Sequence, residues 1–115
     1  MQPYLVLISL LFIAPVSAAE RHWTVTADDW YLPRDGARVV SLAPLSDAVR
    51  AWSKHPDDHL AIHYPGGEEG ILWSQELRDW LVSLGVPSDR VDTVPGLARS
   101  DAVSIVLRNR EELSP

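Results

Sequence analysis

Apolar residues recur along this chain at two distinct periods. Trp73, Leu77, Trp80 and Leu84 fall at i, i+4, i+7 and i+11, widened by Leu81, while Glu76, Arg78, Asp79 and Ser83 lie mostly off the stripe. This spacing predicts a helix over 71–84 with Trp80 in the middle of its buried face, stopped by Gly85 and followed by Pro87. Leu45, Val49 and Trp52 predict a second helix over 44–54. Pro44 is tolerated in its first turn, and Pro56 biases His55 away from helical angles.

Elsewhere the period is two. His59 to Tyr64 places Leu60, Ile62 and Tyr64 on one face and His59, Ala61 and His63 on the other, which is a strand with one buried side. Trp23–Thr26, Arg90–Val94 and Ala102–Leu107 are the other strands, the last with Val103, Ile105 and Leu107 sharing a face. Asp28 to Gly36, with Pro33, Asp35 and Gly36, reads as a loop, and Pro65 to Gly70 as an acidic, glycine-rich loop. Arg38 to Leu42 reads as either a short second strand or an irregular approach to the helix after it. The order strand, helix, strand, helix, strand, strand places the chain in the α/β class as an α+β two-layer sandwich. Both helices cover one face of a mixed sheet. The helix between strands 59–64 and 90–94 reads as a crossover joining parallel strands.

The first eighteen residues stand apart. Leu5 to Pro15 is almost wholly apolar, and Val16-Ser17-Ala18-Ala19 supplies small residues at a cleavage site, so 1–18 reads as a secretory signal. Its n-region, MQPY, has no Lys or Arg. An apolar run of about 15 residues is short of the roughly 20 that span a bilayer, which favours cleavage over an anchor. One domain is then expected over 19–109, with 110–115 as a frayed tail. The chain has no cysteine, which removes disulfides, thiol nucleophiles, thiolate metal sites and a lipoprotein anchor. An exported small domain without disulfides fits a periplasm. The net charge of -6 and the lack of a basic run disfavour nucleic acid and acidic lipid as partners.

From about Leu42 to Leu107 the chain resembles the OmpA-like domain of peptidoglycan-associated proteins. HPDDHLAIHY is similar to the family's strand after its first helix, LRDWLVSLGVPSDRVDTVPG to its second helix and following strand, and SIVLR to its last strand. The resemblance implies a binding module that holds the diaminopimelate part of the cell-wall peptide between an Asp after the strand and an Arg in the second helix. A carboxylate and a guanidinium suit the ligand's ammonium and carboxylate groups. In this chain Gly67 falls where the Asp belongs and Trp73 where the Arg belongs, and the connecting loop is shorter. Neither anchoring residue transfers; Glu68 and Glu69 are candidates to replace the acid.

Other chemistry is thinly represented. His59 and His63 share a strand face, but at about 3.3 Å per residue they stand roughly 13 Å apart, too far for one metal ion. A turn through Pro56-Asp57-Asp58 brings His55 towards His59 without a recognised ligand motif. There is no nucleophile elbow, and two carboxylates in GGEEG repel a phosphate. No cofactor or metal is expected. Tryptophan is unusually frequent, at five residues. Trp52, Trp73 and Trp80 sit on helical apolar faces as core, whereas Trp30-Tyr31 lies in a loop and reads either as exposed aromatics that favour an interface or as a loop folding back to lid the core. The expected function is therefore a non-catalytic periplasmic accessory or assembly module that contacts an envelope protein through Trp30, Tyr31, Gly67, Glu68, Glu69 and Trp73. The alternatives are a peptidoglycan-binding domain with substituted ligand residues and a small envelope hydrolase.

Overall fold

The computed structural model describes residues 21–31 and 35–109. The expected signal segment 1–18 and tail 110–115 lie outside the described residues, as do Leu32, Pro33 and Arg34. In chain order the elements are β1 (His22–Thr26), α1 (Ala27–Trp30), α2 (Gly36–Ser41), α3 (Ala43–Ser53), β2 (His59–Pro65), α4 (Glu68–Ser83), β3 (Val91–Leu97) and β4 (Ala102–Arg108). A 3-10 turn, Ser88–Arg90, precedes β3.

The strands form one mixed sheet in the order β1-β4-β2-β3. β4 runs antiparallel to both β1 and β2, while β2 and β3 are parallel and joined through α4. The expected crossover is present. β3 is an edge strand, which is why it accommodates Pro95; the β2–β3 register shifts beside it, between Tyr64 and Pro65. Alternation divides the sheet into two faces. Val25, Leu60, Ile62, Val91, Val103, Ile105 and Leu107 join Leu45, Ala48, Trp73, Leu77 and Leu81 of α3 and α4 in one buried cluster. The helices therefore cover one side of the sheet, and His22, His59, His63, Ser104 and Arg108 occupy the other.

Three local expectations are corrected. Arg38–Leu42 is not a strand: α2 starts at Gly36, where the carboxylate of Asp35 accepts the Arg38 N–H at 2.9 Å. That N-cap outweighs the β-branched Val39-Val40 pair. The expected 28–36 loop opens instead with α1, capped by Thr26 Oγ1 on the Asp29 N–H, with Asp28 and Asp29 in its first turn. The glycine-rich loop is shorter than expected, because α4 begins at Glu68 and takes in Glu69 and Gly70.

Within α4 the buried residues are Gly70, Trp73, Ser74, Leu77 and Leu81. The centre of the face is therefore the Leu77–Leu81 line, and Trp80 flanks it, half-buried. Trp80 reaches towards the start of α2: a Cβ built on Gly36 would lie 3.6 Å from its Cη2. The helix ends as its sequence predicts. Gly85 takes φ +113°, its N–H bonds to the Val82 carbonyl, and the N–H of Val86 bonds to the Leu81 carbonyl. This pair of bonds is the Schellman arrangement, completed by burial of Val86.

Candidate functional site

α1 and α4 bring two distant aromatic segments together. Trp30 ends α1 and is buried, and its ring stacks on Trp73 of α4 with centroids 6.4 Å apart and planes inclined by 26°. The next residue, Tyr31, stays 58% exposed and leans on the same indole at 5.5 Å, tilted by 55°. Trp73 is 3% exposed, and its Nε1 has no hydrogen-bond partner among the described residues. Packing against two rings offsets the cost of that orphan donor.

These rings form the floor and one wall of a groove of about 320 Å³. The other wall is α4, through Glu69, Leu72 and Glu76. Leu72 is 60% exposed and Ile71 beside it 43%, which is unusual for large aliphatics on a small domain. Glu69 pairs with no cation among the described residues, and it sits in the first turn of α4, where the helix dipole favours an anion. The groove is thus an aromatic and aliphatic slot with a carboxylate rim. Such a surface suits a cationic side chain with an apolar stem, because ring faces and carboxylates both attract it.

Of the six expected site residues, Trp30, Tyr31, Glu69 and Trp73 line this groove. Trp30 is not an exposed contact: it folds back onto the core, buried and stacked on Trp73, the indole on which Tyr31 also leans. Gly67 and Glu68 do not line it. Gly67 is the N-cap of α4, with φ +96°, and its carbonyl accepts the Ile71 N–H. Glu68 begins the helix and is exposed. Leu72 and Glu76 were not anticipated. Glu69, Leu72, Trp73 and Glu76 fall at i, i+3, i+4 and i+7, a single helical stripe. That stripe is visible once the helix is started at Glu68 rather than at Ile71.

A wider recess of about 560 Å³ lies between the end of α3 and the sheet, where Lys54, His55, Arg21 and Asp58 mix both signs of charge. Size alone does not make it the better candidate, since no aromatic or convergent carboxylate lines it. The imidazole of His59 meets Asp92 through Nδ1 at 2.9 Å, with Arg90 at 3.4 Å from Nε2. Among the described residues no three His, Asp or Glu side chains are placed to hold a metal ion. Ser104 stands opposite His63 across β4 and β2, but Nε2 of that imidazole accepts from Arg108 at 2.8 Å. Burial, then Arg108, then His22 hold the His63 pKa below its ordinary value. A cation in this position weakens the imidazole as a base for serine activation. No protein-family model matches this chain, and no curated protein matches it significantly.

Proposed function

We propose that this protein is a non-catalytic periplasmic module of the cell envelope, similar to OmpA-like domains, that docks a segment of a protein partner in the α1–α4 groove. The observation carrying this reading is the exposure of Tyr31 and Leu72 beside Glu69, above a buried Trp30–Trp73 stack. Rigid aromatic anchors on a packed support are the usual centre of an interface. The rim selects the occupant: an Arg or Lys side chain laid along Leu72 puts its charge at Glu69 and its stem on Tyr31. A cation over an aromatic face contributes about 0.5–2 kcal/mol.

The cell-wall alternative makes a different demand on Gly67 and Trp73, the positions that the resemblance assigns to ligand anchoring. Gly67 is committed to a left-handed N-cap and Trp73 to the core. Both commitments support loss of the ligand site rather than its replacement. Calorimetry with a diaminopimelate-containing muropeptide separates the two readings. No measurable heat is expected from the unmodified protein. A micromolar dissociation constant would replace the partner-docking reading with that of a substituted peptidoglycan-binding domain.

A further inference from the structure

The sheet face turned away from the helices carries basic groups that the groove does not use. Arg108 stands opposite His59 at one end of β4, and His63 stands opposite Ser104 four residues further along β2. Their side chains meet, Arg108 Nη2 donating to His63 Nε2 at 2.8 Å. Ala61 lies between them along β2 and is fully buried. In the same rung as Ala61, across Val106, stands His22 of the edge strand β1. Thr24 and Ser104 share the His63 rung and this face, and add hydroxyls. A recess of about 190 Å³ adjoins this rung, lined by His22, Thr24 and Ser104 together with Arg99, which pairs with Asp101; Arg108 and His63 stand beside it rather than in its lining.

Three basic side chains converge in a protein of net charge -6. The charged and titratable groups facing His63 are His59 on its own strand, Arg108 from β4, His22 from β1 and Asp92 from β3. Asp92 is engaged by His59, and among the described residues no carboxylate pairs with Arg108 or His63. His63 is neutral while it accepts from Arg108, so the fixed charge of the cluster is the guanidinium, and a guanidinium with no carboxylate beside it favours an oxyanion.

We propose that Arg108, His63 and His22, on the helix-free face of the sheet, form a binding site for a single oxyanion group, a phosphate or a carboxylate. Thr24 and Ser104 supply further hydrogen bonds. The bound group accepts from the guanidinium and from a protonated His63, replacing the Arg–His contact, and the proton is taken up from solvent. Binding therefore strengthens as pH falls through the histidine range. The acidity of the whole chain disfavours an extended polyanion, but not one small anionic group. This site is independent of the aromatic groove.

The test is an NMR titration of the histidine side chains of the purified protein in inorganic phosphate, in acetate and in chloride at matched ionic strength. Phosphate is expected to raise the His63 midpoint by about one pH unit over chloride, the shift that a close opposite charge produces. A response to acetate as well would widen the ligand class to carboxylates. His55, exposed beyond α3, is the control, and its resonances are expected to be the same in all three salts. If His63 behaves identically in all three, or if His55 responds as strongly, there is no site. Arg108→Gln is expected to raise the His63 midpoint in chloride and to remove most of the phosphate response. His22→Asn, at the sheet edge, is expected to weaken the response in part, and it serves if the Arg108 variant does not fold. An undiminished phosphate response in either folded variant overturns the assignment.

Discussion

Gly70 shows how narrowly one residue can be specified. A Cβ built there would lie 1.8 Å from the Pro65 carbonyl oxygen, a backbone atom that cannot move aside. The absence of a side chain is what lets the first turn of α4 close against the end of β2. Gly70→Ala is expected to cost about 3 kcal/mol or more, as severe overpacking does. Gly85→Ala meets open space and is strained only by its φ of +113°, at about 1–2 kcal/mol. Urea melts of the two variants check this, and equal costs would mean that the α4–β2 approach is looser than described. His63 carries a pH prediction at the same scale. Its folded pKa lies below the ordinary 6.5, so the unfolded chain binds the proton more readily. The stability that His63 contributes is full above about pH 6.5 and is lost as pH falls towards the depressed folded value. His63→Gln should flatten that part of the profile, measured as the urea midpoint across the range in chloride buffer. An unchanged slope would show that His63 is not what titrates.

Among the elements, α4 was the most legible and also the most instructive. Its apolar period, Gly85 stop and following parallel strand all follow from residue spacing. Its start did not, because Gly66-Gly67 and Glu68-Glu69 together look like a solvated turn. The physical signal lay in the acids, which suit a first helical turn, and in Gly67, which supplies the left-handed entry. That three-residue difference hid the stripe of Glu69, Leu72, Trp73 and Glu76. α1 and α2 escaped for a related reason: each is short, and only the caps Thr26 and Asp35 announce them. The Trp30–Trp73 stack brings together residues far apart in sequence, and no local pattern encodes that contact. The burial pattern of α4 also reorders its mutational costs. Leu77→Ala, at the centre of the face, should cost about 2–5 kcal/mol. Trp80→Ala, half-buried under α2, should cost roughly 1–2 kcal/mol. Equal costs, or a larger loss at Trp80, would return Trp80 to the middle of the buried face.

At the scale of the whole molecule, one sheet presents two different surfaces. The helical side buries the core and ends in an aromatic, acid-rimmed groove; the open side is lined with histidines and an arginine. The two-layer architecture and the mixed sheet were legible from strand and helix order, whereas the separation of these surfaces required the strand register. Among the described residues no helix is long and apolar enough to cross a membrane. The groove gives the protein its proposed role, and selection of peptides from a random display library tests it most directly. Selected peptides are then measured by calorimetry against the wild type, Tyr31→Ala and Glu69→Lys. A docking groove of this chemistry selects peptides with an Arg or Lys beside apolar residues, and Glu69→Lys weakens them about tenfold or more, equivalent to 1.4 kcal/mol. Acidic peptides, or a library yielding none whose binding depends on Tyr31 and Glu69, would contradict it.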